Sequence, residues 1–269
     1  MVQFVHGWIP DSAAKKVKDF NANLLLERVV ARPASVSLRH LIPSILNQGS
    51  LGSCTCNAVA QALRMALVRE GNPNAELASR LFLYYYARAA SPGNTQVDSG
   101  TQIRCVFDAL RKIGYCREST WPYDTSTFTF MPSAVAVRAA YDQRSAGGYF
   151  RISSTGAQRI DDICAAIAGG YAVVFGTPVS NAIFSTDPAK PLGPPIGETI
   201  VGGHAMTVVG YRPGADGTVD FDIVNSWGSD WGDGGFFTMA SAYLAWDETS
   251  DLWIYENAPN FSDQATAAA

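Results

Sequence analysis

The sequence predicts an α+β protein in which a helical first half precedes a second half of antiparallel strands. Apolar residues follow Cys54 at helical spacing. After about residue 148 the pattern changes to short runs of β-branched and aromatic residues, which are typical of strands. The turn-rich stretch 212–217 separates two of these runs and predicts a hairpin.

Three helices are predicted in the first half. The first begins at Cys54, directly after Ser53, a residue type that favours the N-cap, and runs four to five turns to about Gly71. Two more span about 76–89 and 101–113, each with an apolar stripe. Because the N-terminal end of a helix carries a partial positive charge, we expect the pKa of the Cys54 thiol to be lowered.

The second half contains six strand candidates and one short helix near 160–168. The strands are expected at 148–153, 171–178, 204–211, 218–225, 235–239 and 252–256. A proline-rich loop at about 187–197 precedes the strand that begins near His204. No internal repeat is present in the sequence.

Composition excludes several function classes. The chain has 269 residues, 47% of them hydrophobic, and a formal net charge of −4, so it is globular and lacks the basic surface that binds nucleic acid or anionic lipid. We therefore expect no nucleic-acid partner and no membrane partner. No paired Cys and His ligands indicate a metal, so no metal and no cofactor are expected, and we expect a monomer.

The cysteines indicate a reducing compartment. There are five, at positions 54, 56, 105, 116 and 164, an odd number without a dense framework. The first residues do not resemble a signal peptide. We expect five free thiols and a protein that is cytoplasmic or exported by a non-classical route.

The candidate chemistry is that of a cysteine nucleophile with a histidine base. The sequence has three histidines, and His204 lies in an apolar strand that the hairpin joins to the strand before Asn225. This connection lets His204 and Asn225 be neighbours at one end of the sheet, where an asparagine can fix the tautomer of the base. Gln48 precedes the nucleophile by six residues.

These residues lie in blocks that resemble the papain family of cysteine peptidases. The blocks are Gln48-Gly49, Gly52-Ser53-Cys54, Trp121-Pro122-Tyr123, Gly203-His204-Ala205, and Asn225-Ser226-Trp227-Gly228 followed by Trp231-Gly232. Leu51 stands where the family commonly has a cysteine, and Thr55 where it commonly has an aromatic residue. In these departures the chain resembles bacterial members that carry a short N-terminal extension.

The resemblance implies a papain-like fold of two lobes and assigns a role to each site residue. A helical lobe would pack against an antiparallel, β-barrel-like sheet lobe, with the active site in the cleft between them. Cys54 would be the nucleophile and His204 the base, Asn225 would orient His204, and Gln48 would contribute to the oxyanion hole. The implied substrate-binding residues are Gly52, Gly100, Gly203 and Trp227.

Four regions are predicted along the chain. Residues 1–35 form an N-terminal extension, 36–140 the helical lobe, 141–258 the β lobe, and 259–269 a C-terminal tail. The resemblance implies that the extension covers the cleft as an inhibitory segment, so the chain's own N-terminus is an expected partner besides a peptide or protein substrate. The alternative is that the extension completes the core of the protein.

Other functions remain open at the level of sequence. Cys54 could be a buried structural cysteine, or Cys54 and Cys56 could bind a metal with His204. A non-catalytic binding or scaffold protein could use the same fold. An acyl transferase could use the same nucleophile, because the acceptor that follows acylation is not encoded in these motifs.

Overall fold

The computed structural model describes residues 6–11, 20–21, 32–72, 75–90, 94–143, 148–187 and 190–256. The α-helices are α1 (Cys54–Arg69), α2 (Arg80–Ala90), α3 (Ile103–Lys112), α4 (Ala134–Asp142), α5 (Gly156–Ala168) and α6 (Ser241–Ala245). The strands are β1 (Phe20–Asn21), β2 (Val36–Ser37), β3 (Gly148–Ile152), β4 (Val173–Ser180), β5 (Ile200–Pro213), β6 (Val219–Val224), β7 (Phe236–Ala240) and β8 (Ser250–Glu256).

One twisted sheet organises the second half of the chain. Its strand order is β1-β3-β8-β4-β5-β6-β7, and β2 pairs with β5 beside this path. All of these pairs are antiparallel except β1 with β3, which is parallel. The helical first half and the antiparallel sheet confirm the predicted α+β class.

The two faces of the sheet bury different helices. Along β4, Val174 packs with the cluster of buried side chains around α1, α2 and α3. Its neighbours Val173 and Phe175 belong to a second cluster that contains the buried face of α5. This alternation follows from the two-residue period of a strand, and it presses α1, with Cys54 at its start, onto the sheet.

Several element boundaries differ from the sequence prediction for identifiable reasons. Helix α2 begins at Arg80, four residues later than expected, because Ala78 pairs with Arg117 and the Ser79 backbone donates to the Cys116 carbonyl. Strand β5 extends beyond the predicted 204–211 at both ends.

Helix α4 was not predicted from the sequence. It buries only Ala136 and Ala140, so its apolar period is weak. The Ser133 side chain caps its first turn by accepting a hydrogen bond from the Ala136 backbone.

The N-terminal extension is described only in part, and the C-terminal tail is not described. Residues 1–5, 12–19, 22–31 and the tail 259–269 lie outside the described residues, so those parts of the predicted regions stay predictions. Within the described part of the chain, no helix is long and apolar enough to cross a membrane.

Candidate active site

Cys54 is the first residue of α1 and is fully buried. Ser53 occupies the predicted N-cap position, but its side chain makes no capping hydrogen bond to the helix backbone. Burial raises the pKa of the Cys54 thiol to about 11, although hydrogen bonds from the backbone of Ala205 and Gly7 oppose this. The expectation of a lowered pKa is therefore wrong for this arrangement, because loss of water outweighs the helix dipole.

His204 lies on β5, and Asn225 directly follows the neighbouring strand β6. The distance from His204 Nε2 to Asn225 Oδ1 is 2.8 Å. The same Oδ1 accepts a hydrogen bond of 2.8 Å from the Ser226 backbone N–H, which can only donate. The amide oxygen therefore faces His204, so Nε2 carries the proton and Nδ1 keeps its lone pair.

The His204 Nδ1 atom is buried and has no hydrogen-bond partner among the described residues. Burial lowers the pKa of His204 to about 3, with a smaller lowering contribution from the nearby His6 and a raising contribution from the Asn225 hydrogen bond. A neutral imidazole with this tautomer can act as a base through Nδ1.

Trp227 covers one side of the His204–Asn225 pair. Its ring stacks on the His204 ring with a centroid distance of 4.8 Å and an interplanar angle of 26°. An indole in this place keeps water from the His204–Asn225 hydrogen bond, which strengthens the bond.

Gln48 is fully buried in the loop before α1, and both ends of its side-chain amide are held. Its Oε1 accepts a hydrogen bond of 2.6 Å from Ser226 Oγ, and its Nε2 donates to the Leu51 carbonyl at 3.0 Å. The Gln48 backbone N–H also donates to the Ser226 carbonyl at 2.8 Å. The loop with Gln48 is thereby joined to the segment with Asn225.

Residues 6–11, which we call the strap, lie over these side chains. The Trp8 N–H donates to the Gly203 carbonyl at 3.0 Å, and the Thr101 N–H donates to the Gly7 carbonyl at 2.8 Å. The Ile9 N–H donates to the Thr101 carbonyl at 3.0 Å. The strap therefore bridges the helical side and the strand side of a groove.

Polar side chains anchor the strap at its far end. Trp8 Nε1 donates to Asp251 Oδ2 at 3.1 Å, and the Asp11 backbone N–H donates to the same atom at 2.8 Å. The Asp11 carboxylate pairs with Arg104 Nε at 2.6 Å, and only 2% and 5% of the two side chains are exposed. Arg151 lies 3.3 Å from Asp251.

All four predicted substrate-binding residues contact the strap. A β-carbon on Gly7 would lie 1.7 Å from the Gly52 carbonyl oxygen, and one on Gly100 would lie 2.2 Å from the Gly7 oxygen. A β-carbon on Gly203 would lie 2.7 Å from the Trp8 oxygen. The Trp227 ring faces His6, at a centroid distance of 6.2 Å.

Sequence reasoning did not select two residues of this site, His6 and Asp251. His6 also approaches the rings of His204 and Phe184, with centroid distances of 5.7 and 5.9 Å. One feature of the sequence could have identified His6: it lies two residues before Trp8, in an apolar segment expected to cover the cleft. Asp251 had no such indication, because its partners come from the strap and from β3.

The predicted free thiols are confirmed: all five cysteines are free and buried. Among the described residues, no group of three or more His, Cys, Asp or Glu side chains could hold a metal ion.

A comparison with protein-family models matches residues 32–250 to the papain family cysteine proteases. The chain belongs to this family. It is therefore a cysteine protease, a hydrolase, and its fold is the papain-like fold that the sequence motifs predict.

Individual relatives agree with this membership. An uncharacterized peptidase C1-like protein of Acanthamoeba polyphaga mimivirus is 36% identical over 241 residues, 86% of this chain and 73% of the relative. The structure of xylellain, a cysteine protease from Xylella fastidiosa, is 31% identical with a TM-score of 0.79, covering 94% of this chain and 96% of xylellain. A digestive procathepsin L2 of Tenebrio molitor shares the fold with a TM-score of 0.72 and 21% identity, over 94% of this chain and 78% of its own.

Proposed function

We propose that this papain-family protease is an endopeptidase that cleaves peptide bonds through a thioester on Cys54. The observation that carries the proposal is the His204–Asn225 hydrogen bond, which leaves Nδ1 of His204 as an acceptor on the strand next to α1. An oriented imidazole beside a cysteine at a helix N-terminus is an arrangement that generates a nucleophilic thiolate.

The reaction then follows from these roles. His204 accepts the Cys54 proton, and the thiolate attacks the carbonyl carbon of the substrate. When the tetrahedral intermediate collapses, the carbon–nitrogen bond breaks and His204 returns the proton to the leaving amine. A water molecule, deprotonated by His204, attacks the thioester, releases the carboxylic acid product and restores Cys54.

The oxyanion of the intermediate needs fixed donors. We assign this role to the Gln48 side-chain amide and the Cys54 backbone N–H. The held amide of Gln48 supports the assignment, because a donor that is already oriented needs no reorganisation when charge develops.

We further propose that the strap inhibits the enzyme. It occupies the groove directly above Cys54 and His204, both of which have no exposed surface beneath it. The same burial opposes the thiolate and the imidazolium, as the pKa values of about 11 and about 3 indicate. The closed strap thus excludes substrate and also disfavours the charged forms that catalysis requires.

Substitution of the three site residues tests the catalytic assignment. Cys54→Ala and His204→Ala are each expected to lower kcat for a small peptide substrate by at least about a thousandfold. Asn225→Ala is expected to leave measurable activity, because Asn225 only orients the base.

The matched controls are Cys164→Ala, which removes another buried thiol in α5, and His40→Ala, which removes an exposed histidine. Both should keep wild-type turnover. Wild-type turnover in Cys54→Ala, or labelling of a different cysteine by an epoxide reagent, would contradict the proposal.

A further inference from the structure

Buried and partly buried polar side chains join the two ends of the loop that runs from Gln48 to Cys54. We call this set the brace, and its members are Ser53, Asn57, Arg80, Glu118 and Tyr123. Ser53 and Asn57 are fully buried, Arg80 is 7% exposed, and Glu118 and Tyr123 are partly buried.

Arg80 connects the brace to the residue before Gln48. One of its terminal nitrogens, Nη1, donates to the Asn47 carbonyl at 2.9 Å and to Asn57 Oδ1 at 2.8 Å. Its other two nitrogens form a bidentate pair with Glu118, at 2.8 and 2.7 Å. Because Glu118 fixes and neutralises the guanidinium, the orientation of Nη1 is set by two charge-assisted hydrogen bonds.

Tyr123 connects the brace to Gln48 itself. The Arg80 guanidinium carbon lies 3.7 Å from the centre of the Tyr123 ring, so the ring is held in place from above. The Tyr123 hydroxyl donates to the Gln48 carbonyl at 3.0 Å. Since a carbonyl can only accept, the hydrogen bond between Tyr123 and Ser53 Oγ must be donated by Ser53.

Asn57 closes the connection to the start of α1. Its Nδ2 donates to the Ser53 carbonyl at 3.0 Å and to Ser53 Oγ at 3.1 Å. These contacts occupy the Ser53 hydroxyl, which explains why Ser53 does not cap the helix backbone. The brace therefore holds Gln48 at the start of the loop and Ser53, directly before Cys54, at its end.

This geometry matters because the two proposed oxyanion donors stand at opposite ends of that loop. One is the Gln48 side chain and the other is the Cys54 backbone N–H, and their separation is set by how the loop is held. We propose that Arg80 and Tyr123 are positioning residues that keep these two donors at the spacing a tetrahedral oxyanion needs. The inference rests on the proposed function of Gln48.

Tyr123→Phe tests the inference with the smallest change. It removes the hydrogen bond to the Gln48 carbonyl and keeps the ring beneath Arg80. All variants are compared in the full chain carrying Gly7→Ala, which should displace the strap because a β-carbon at Gly7 would lie 1.7 Å from the Gly52 carbonyl oxygen. We expect kcat for a small peptide amide to fall about tenfold and KM to change less than about twofold. The loss in kcat should be smaller than the loss that follows removal of a whole oxyanion donor.

The deciding measurement is the same substitution in a chain that carries Gln48→Ala. If Tyr123 acts through Gln48, Tyr123→Phe should lower kcat less than about twofold there, because the donor it positions is already gone. An equal loss in both backgrounds, or no loss in either, overturns the inference. An unchanged kcat in Gln48→Ala alone would instead contradict the oxyanion role in the proposed function.

Two further variants separate positioning from stability. Arg80→Lys keeps the charge but not the planar fork, so it should reproduce the kcat loss of Tyr123→Phe. Tyr149→Phe removes another buried tyrosine hydroxyl, which bonds Asp108 at 2.6 Å, and should lower stability without changing kcat. A kcat loss in Tyr149→Phe equal to that in Tyr123→Phe would assign the effect to general loosening and overturn the inference.

Discussion

At the scale of single residues, burial decides the charge state of the candidate catalytic pair. A cysteine at a helix N-terminus is expected to ionise readily, yet the Cys54 thiol has a raised pKa and His204 a lowered one. Desolvation outweighs the partial charge of the helix end because both side chains are fully buried. Sequence identifies these residues by type and order, but their burial in the folded chain, which sets the direction of their pKa shifts, depends on tertiary contacts.

His6 makes closure of the strap dependent on pH. Burial lowers the pKa of His6 from its usual 6.5, and the ring lies beside His204, Trp227 and Phe184 with its Nδ1 buried and unpartnered. The closed strap therefore favours neutral His6. Above pH 6.5 the equilibrium constant for closing the strap should have its full value. Below pH 6.5 this constant should fall, by at most about tenfold per pH unit, because the open form binds a proton on His6 more readily than the closed form.

Hydrogen exchange in the full chain with Cys54→Ala measures this effect. Protection of the Trp8 and Thr101 backbone N–H groups should fall between pH 7.5 and 5, after correction for the intrinsic exchange rate. His204 should also make this protection fall as the pH falls, because its pKa is lowered in the closed form as well. His6→Phe should remove only the part due to His6, whereas His40→Phe should change nothing. An unchanged pH profile in His6→Phe would contradict the prediction.

At the scale of secondary-structure elements, the sequence predicted the helices and strands whose apolar residues follow a clear pattern. Helix α3 was predicted because its apolar residues recur at helical spacing, and the strands were predicted as short apolar runs, which a sheet buried on both faces requires. Helix α4 was not predicted because most of its surface is exposed. The prediction of helix at residues 76–79 was wrong because hydrogen bonds to the segment around Cys116 set their structure. Strand β5 is longer than predicted because residues 200–203 pair with β4 and residues 212–213 pair with β6, cross-strand contacts that no local pattern contains.

The strap closes only because Gly7 has no side chain. A β-carbon there would lie 1.7 Å from the backbone oxygen of Gly52, which cannot move aside cheaply. Gly7→Ala should therefore displace the strap, raise the hydrolysis rate of a small peptide substrate and speed epoxide labelling of Cys54. Since the strap lies outside the proposed catalytic residues, kcat of the opened enzyme should not fall.

Gly193→Ala is the matched control, because a β-carbon at Gly193 meets no atom within 4 Å. It should leave both rates at their wild-type values. If Gly7→Ala shows the wild-type labelling rate while remaining folded, the strap does not limit access to the groove.

At the scale of the whole molecule, the strap belongs both to the groove and to the core. Trp8 packs in the buried cluster that contains α1 and the inward face of the sheet, and Asp11 forms a nearly buried ion pair with Arg104. The order of the Gln, Cys, His and Asn motifs predicted the candidate site, because the proposed reaction requires these residue types. The anchors Asp251 and Arg151 could not be predicted, since they act only through a segment far away in the sequence.

Two truncations separate the roles of the N-terminal region. Deleting residues 1–11 removes the strap and leaves Arg104 and Asp251 without Asp11 and Trp8, so the melting temperature should fall by roughly 5–10 °C, as expected for losing about 3 kcal/mol of docking. The hydrolysis rate should rise in the same protein. A lower rate together with a lower melting temperature would indicate that residues 1–11 complete the core and do not gate the groove.

Deleting residues 1–31 also removes β1, which pairs in parallel with β3 at the edge of the sheet. Hydrolysis should rise as much as in the shorter truncation, because the groove is already open there. The uncovered edge of β3 should in addition promote self-association, since unpaired strand edges recruit other chains. Sedimentation at increasing concentration should therefore show a monomer for the shorter truncation and oligomers for the longer one. Identical behaviour of the two would mean that β1 does not protect this edge.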